Sequence, residues 1–211
     1  MASIWEEMKL EAWNRLWEDL HIGYLDEDIL DLLIEFFLRP RSFTKSSCSG
    51  RITVIDSRFP WAKDNSMTVF KKHGPVSMED IEAVLSRPYA RRLWLSVQGP
   101  IYHVYVADME EALEVLRAAR EAGFKHSGIM VAGEPMLLEL RTGIRGDILL
   151  AERGTGPLLS GKGLEAAVKV ANEVLAAAKE RNRRLLEALR RRRPRELWKP
   201  AAEKAKELGL L

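Results

Sequence analysis

The chain has 211 residues, 46% of them hydrophobic, with a net charge of +2. That supports one substantial core, or a core with an appended subdomain, and we expect a single domain over 1–211 with its core at about 24–160 and a basic helical segment at 164–208. One cysteine excludes an internal disulfide and a cysteine-rich zinc site, and no apolar run approaches the roughly 18–20 residues that span a bilayer.

The first turns, with Glu6, Glu7, Lys9 and Glu11, do not read as a signal peptide, so a cytoplasmic protein is expected. Few amides and many Arg and Glu are a compositional hint of a thermophilic source. Residues 3–20 read as an amphipathic helix, with Trp5, Met8, Ala12, Leu16 and Leu20 near one stripe and Trp13 and Trp17 beside it. Gly23 punctuates, Asp26 and Asp28 favour a helix start, and Ile29 to Leu38 is apolar nearly all round, which predicts a helix buried on most faces. Pro40 stops it.

Thr44-Lys45-Ser46-Ser47-Cys48-Ser49-Gly50-Arg51 then reads as a loop. Small polar residues and a glycine let backbone N–H groups approach an anion, and Arg51 adds a planar fork for carboxylate or phosphate. The same residues also suit a plain helix-to-strand loop whose serines satisfy their own backbone. Cys48 is either a nucleophile activated by Arg51 or a packed thiol.

Strands are predicted at 52–56 and 67–71, with 57–65 as a loop around Pro60 and Trp61. Ser77 and Asp80 suggest the cap of a short helix to about Ser86. Leu93, Leu95 and Val97 alternate as a strand; Gly99-Pro100 breaks it, and 101–106 is another. Asp108 caps a clear helix that ends at Gly123. Strands follow at 124–131, 136–141 and 147–150. A glycine-rich loop at 154–163, read as a flexible linker, precedes a helix from about 164 to 193, and a last short helix runs to about 208. Strand pairs adjacent in sequence argue for α+β, a mixed and largely antiparallel sheet packed with helices and a long C-terminal helix, against a doubly wound parallel fold.

No stretch matches a standard catalytic signature: there is no strand–GxGxxG–helix, and Gly154 to Gly163 lacks the P-loop spacing. The four histidines share no ligand spacing, so no metal site is expected. His73 ends a strand and His103 lies within one; each is either hydrogen-bonded core or a base at a pocket mouth. Glu139 and Arg141 share a strand face, either pairing with each other or lining a cleft. From Lys179 to Lys199 ten Lys/Arg face three Glu, and Arg190, Arg191, Arg192 and Arg193 form a block with too few local acids to pair it, which points to nucleic-acid phosphates.

These stretches, taken in order, resemble the tRNA wybutosine-synthesizing protein 3 family. Residues 44–51 resemble its S-x-S-S-C-x-G-R signature, with Thr44 in place of the first serine. Asp26-Glu27-Asp28-Ile29, His73, Pro100-Ile101-Tyr102-His103-Val104, Gly123-Phe124-Lys125-His126-Ser127-Gly128-Ile129, Leu138-Glu139-Leu140-Arg141-Thr142, Ala171-Asn172 and Arg181-Asn182 follow in the family's order. The resemblance covers about 24–190. It implies an archaeal-type tRNA methyltransferase, without the Rossmann-like fold, that uses S-adenosylmethionine on N4 of a tricyclic guanosine derivative at position 37 of phenylalanine tRNA. It implies His103 or His73 as the base. Arg51 with Ser46, Ser47 and Gly50 would hold a carboxylate, Ser127, Glu139 and Arg141 would orient donor or base, and the C-terminal arginines would hold anticodon-stem phosphates. Two other classes remain beside it: a non-catalytic tRNA-binding protein using the serine turn as a phosphate nest, and a Cys48-dependent hydrolase or redox enzyme.

Overall fold

The computed structural model describes residues 3–62, 64 and 66–211. Lys63 and Asn65, the end of the predicted loop at 57–65, lie outside the described residues. Two compact units form: the first from the N-terminus to Ser49, Pro100–Gly143 and Glu180–Leu211, the second from Gly50–Gly99 and Ile144–Lys179.

The first unit begins with α1 (Ile4–His21), capped by the Ser3 hydroxyl, which accepts from the Glu6 N–H at 3.3 Å. Its buried stripe is Lys9, Ala12, Trp13 and Leu16, an i, i+3, i+4, i+7 set. A lysine therefore sits where the pattern wants a hydrophobe. Its ammonium group donates to the carbonyls of Arg39 and, at 2.7 Å, Ser42, and lies 4.8 Å from the Trp198 ring centroid. Helix α2 (Leu30–Leu38) is buried from Leu32 onward, as its apolar sequence predicts, with Glu35 included. The four-stranded sheet has the order β1 (Ser42–Cys48), β5 (Ile101–Val106), β7 (Met136–Arg141), β6 (Gly128–Val131), every neighbour antiparallel. Helix α4 (Met109–Glu121) is capped by the Asp108 carboxylate. An aromatic core results: Trp13 meets Trp17, Phe37 and Trp198 edge-on at 5.1–5.8 Å, contacts worth about 0.5–1.5 kcal/mol each beyond area burial.

The second unit carries a five-stranded antiparallel sheet in the order β3 (Met67–Lys72), β2 (Arg51–Ser57), β4 (Arg92–Gln98), β8 (Arg145–Glu152), β9 (Gly156–Pro157). Helix α3 (Met78–Leu85) opens with a full capping box between Ser77 and Asp80. The core is aliphatic, with Ile52, Val54, Leu93, Leu95, Val97 and Leu150 from the strands packed with Leu164, Val168 and Leu175 from α5 (Gly161–Arg191). Helix α6 (Lys199–Glu207) returns to the first unit, with Ala201 and Ala205 in its core. No helix is long and apolar enough to cross a membrane among the described residues.

The α+β class, the antiparallel pairing and the long C-terminal helix match the sequence reading. Three local expectations do not. Residues 44–48 belong to a strand, so the connection shrinks to Ser49-Gly50; the hydroxyl-rich run hides a strand because it lacks apolar alternation. The strand predicted from Phe124 starts at Gly128, because Phe124 to Ser127 turn to bring Phe124 into the core. The glycine-rich linker contains β9, pairing with Ala151 and Glu152.

Candidate active site

Strand β1 places the serines of the signature. Its register against β5 pairs Ser46 with His103 and Ser47 with Tyr102, after an irregularity at Lys45. Directly opposed residues share a sheet face, so Ser46 and Ser47 project to opposite faces. On β7, Glu139 lies opposite His103 and also opposite Gly128 of β6. Ser46, His103 and Glu139 thus form one row across three strands. His103 Nε2 stands 3.6 Å from a Glu139 carboxylate oxygen, and both side chains are about a third exposed. A carboxylate at that distance can fix the orientation of the ring, and an oriented imidazole suits a base at a pocket mouth. Arg141 lies two residues along the same face, opposite Ile101, and is exposed.

Ser127 closes the loop before β6 onto β7. Its hydroxyl donates to the Phe124 carbonyl at 2.7 Å and accepts from the Arg141 N–H at 3.0 Å. His126 lies against Gly143 so closely that a Cβ there would come within 2.6 Å of its Nε2. The sequence pattern gave no sign of this approach.

Ser49, the last residue of the signature in this unit, is fully buried and held from two sides. Its N–H donates to the Asp26 carboxylate at 2.8 Å, and its carbonyl accepts from Asn182 Nδ2 at 2.9 Å. The Asn182 carbonyl oxygen in turn accepts from the Tyr102 hydroxyl at 2.8 Å. Burial, aided by the nearby Asp28, Cys48 and Asp26, pushes the Tyr102 phenol well above its ordinary value, so it stays a donor. Asp26, Tyr102 and Asn182 all lie in stretches that carry the family resemblance, yet none was singled out as a site residue. Only the long-range pairing reveals that they share one serine.

A cavity of about 770 Å³ opens in the same unit, between α1 and β1; its lining includes Glu11, Arg15, Asp19, Lys45, Ser46 and Ser47. That volume falls in the range of pockets for small ligands.

Gly50, Arg51 and His73 belong to the second unit. Gly50 has φ +102°, a conformation that favours glycine. Arg51 opens β2 opposite Gln98, and its Nε donates to the Gln98 amide oxygen at 2.8 Å. Next on that face, Ser96 donates to Asp147 at 2.7 Å, and Asp147 accepts from Arg145 at 2.7 Å. Gln98, Ser96 and Asp147 were not singled out in the sequence, because polar residues alternating within a strand read as a solvent face. His73 follows β3 in the stretch leading to α3, where the Asn172 amide clamps Val76 twice, accepting from its N–H and donating to its carbonyl, both at 2.9 Å.

The basic run is not short of acids. Arg191 and Arg192 both pair with Glu121, Arg193 forms a fork with Glu35, and Arg190 approaches Asp31 and Glu35. Those acids come from α2 and α4, far away in sequence, so a local count missed them. Arg190 and Arg191 remain 40% and 56% exposed; Arg193 is the most covered, at 23%.

The class is an α+β protein of two antiparallel sheets, with a His–Glu pair in a cross-strand row and no dinucleotide-type glycine turn. The family can be stated too. The family model described as Methyltransferase TYW3 matches residues 2–191, and the chain belongs to that methyltransferase family. It is 47% identical over 180 residues to the tRNA(Phe) 7-((3-amino-3-carboxypropyl)-4-demethylwyosine(37)-N(4))-methyltransferase of Saccharolobus solfataricus, covering 84% of this chain and 86% of that protein. It is 34% identical to enzyme 1 of the same name from Pyrococcus furiosus, covering 85% and 92%. A structure of the PH1069 protein from Pyrococcus horikoshii superposes with a TM-score of 0.80 at 32% identity, over 87% of this chain and 95% of that one. Membership makes the chain a methyltransferase that requires a methyl donor.

Proposed function

We propose that this chain transfers the methyl group of S-adenosylmethionine to N4 of the 4-demethylwyosine derivative at position 37 of phenylalanine tRNA, in wyosine-derivative synthesis. The observation that carries the reading is the 47% identity, across most of both chains, to an enzyme named for that reaction.

The donor supplies an already activated methyl group. The protein's task is then alignment, exclusion of water and removal of a proton from the acceptor nitrogen. His103 is the base we assign, oriented by Glu139 in the row with Ser46; His73 is the second candidate. The donor, when bound, would supply the methyl group to the acceptor nitrogen with its own sulfur as the leaving atom. His103 would take up the proton that the acceptor nitrogen gives up. Arg51, beside the Gly50 turn of the second unit, is assigned to a carboxylate of donor or acceptor, since a guanidinium fork matches that group, and Ser46 and Ser47 are assigned to hydroxyl contacts within the first unit. Ser127 fixes the backbone of Arg141, and Arg141 supplies an exposed charge on the row's face. A residue beside the anticodon is presented unstacked, as recognition of single-stranded RNA prefers. Within the basic run, Arg190 and Arg191 are the better placed for anticodon-stem phosphates, being more exposed than Arg192 and Arg193.

The test is direct. The protein is incubated with methyl-labelled S-adenosylmethionine and phenylalanine tRNA from a strain lacking this activity, and the position-37 nucleoside is weighed. One added methyl group is expected; an unchanged mass sinks the assignment. His103→Ala should lower the single-turnover rate about 10²–10⁴-fold while donor binding persists.

A further inference from the structure

The loop between β2 and β3 displays aromatic surface that the aliphatic core beside it does not use. Phe59 and Trp61 stack with ring centroids 5.0 Å apart and planes within 6° of parallel. Trp61 is 68% exposed. The exposure does not come from a loose loop. The Ala62 N–H donates to the Phe59 carbonyl at 3.0 Å, closing a turn with Pro60 in its second position. The Ser57 hydroxyl donates to the same carbonyl at 2.7 Å, and Pro60 is buried. Two rings are therefore held parallel on a short, pinned turn, and the outer one is left to solvent.

The charges around the pair are mostly positive. The guanidinium groups of Arg58 and Arg92 lie 5.4 and 5.8 Å from the Phe59 ring centroid. Arg92 pairs with Glu152 at 2.7 Å. Arg58 is exposed, with no carboxylate partner among the described residues. Arg153 joins the same sheet end, its N–H donating to the Arg91 carbonyl at 2.7 Å. The nearby acids are Glu152, already paired, the exposed Asp64, and the buried Asp56, which accepts from the Ala90 and Arg91 N–H groups.

We propose that Phe59 and Trp61 form a stacking platform for an unstacked RNA base, with Arg58 and Arg92 set for the neighbouring phosphates. Every base has a π-face, so an exposed ring binds any of them, and a pre-stacked pair loses little freedom on binding. An arginine rim fits a polyanion better than an apolar protein surface. The inference rests on the reading that the substrate is RNA, and it adds a contact site on the second unit.

The experiment measures binding of the full chain to an unmodified phenylalanine tRNA transcript across a salt series, with S-adenosylmethionine binding followed separately. Trp61→Ala should weaken transcript binding about 5- to 150-fold with the salt slope unchanged. Trp61→Phe, which keeps a π-face, should restore most of it. Arg58→Gln should reduce the salt slope by about one and leave the stacking contribution in place. Donor binding and the unfolding midpoint should stay at wild-type values in Trp61→Ala. If Trp61→Ala binds the transcript as well as wild type, the platform is overturned and the methyltransferase reading stands. Equal losses of transcript and donor binding also overturn it, because the change then acts through the fold. If wild type itself ignores the transcript, the RNA reading fails and the platform fails with it.

Discussion

The two units solve the problem of burial in different ways. The first packs aromatic rings and places charges among them: Lys9, Glu35, Arg39 and Glu111 are all buried. The second packs Ile, Val, Leu and Ala, with no aromatic ring among its fully buried members in the described residues. Among the described residues its one buried charged side chain is Asp56, which accepts from two backbone N–H groups. Buried charge demands complete partners, whereas aliphatic packing tolerates small changes of volume. The first unit should therefore respond to single charge deletions at several positions and to pH through Lys9, and the second to a charge deletion only at Asp56.

The largest effect should come from the Arg39–Glu111 pair. Its two forks measure 2.5 and 3.0 Å, and a third guanidinium N–H donates to the Arg192 carbonyl at 2.7 Å. Glu111→Gln leaves a buried guanidinium with two of its three acceptors and no counter-charge. A loss of about 3–5 kcal/mol is expected. Hydrogen exchange should show it as lost protection in β1, β5 and β7 while β2, β4 and β8 keep theirs. Equal loss in both sheets would break the contrast.

Lys9 comes next. Burial lowers its pKa from 10.5 to about 7, against the opposing pull of Glu6 and Glu111. Between those values the unfolded chain holds a proton that the folded chain has released, so stability rises with pH from about 7 towards 10.5. The gain is up to roughly 4–5 kcal/mol by linkage alone. The neutral amine still donates to both carbonyls. Lys9→Met should be less stable, because the Arg39 and Ser42 carbonyls lose their donor, and its denaturation midpoint should lose this rise. A rise of equal size in Lys9→Met would assign the pH dependence elsewhere.

These features explain what the sequence could convey. The alternation in 101–106 and 93–97 and the Ser77 and Asp108 caps announced their elements, because local pattern and local structure agree there. Lys9 was not on the predicted apolar stripe, because nothing nearby in sequence reveals the carbonyls of Arg39 and Ser42. The basic run looked unpaired because Glu35 and Glu121 arrive through tertiary packing. Ser46, His103 and Glu139 were each legible as candidates, yet their common row depends on two strand registers, and a one-residue slip in either would send them to opposite faces.

Smaller effects compare the units through two asparagines of α5. Asn182 links the Ser49 carbonyl to the Tyr102 hydroxyl in a buried site, so Asn182→Ala removes both hydrogen bonds and should cost about 1–3 kcal/mol. Asn172 clamps Val76 where water can replace it, so Asn172→Ala should cost about 1 kcal/mol or less. Urea midpoints of the two variants rank them. Because Ser49 lies within the signature, between Cys48 and Gly50, Asn182→Ala should also slow methyl transfer at saturating donor, and a variant with full turnover would separate the Ser49 clamp from the chemistry.

The smallest effect should belong to Glu180, although its carboxyl is held well below its ordinary value. It bridges Arg183 and Arg184, and hydrogen bonds from those two guanidinium groups hold its carboxyl at about 2. A depressed carboxyl contributes stability above its unfolded value, near 4.5, and loses it only as the pH falls through 2. Yet the group lies in solvent, where salt screens the attraction and ordering three long side chains costs entropy. Glu180→Gln should leave the unfolding midpoint at pH 7 unchanged within error in 0.15 M salt. The comparison with Lys9 is then decided by location: two shifted pKa values, one inside an aromatic core and one on a helix surface, with only the first felt by the fold. A Glu180→Gln midpoint shift as large as that of Lys9→Met would show that the surface of α5 carries the stability assigned here to the buried charges.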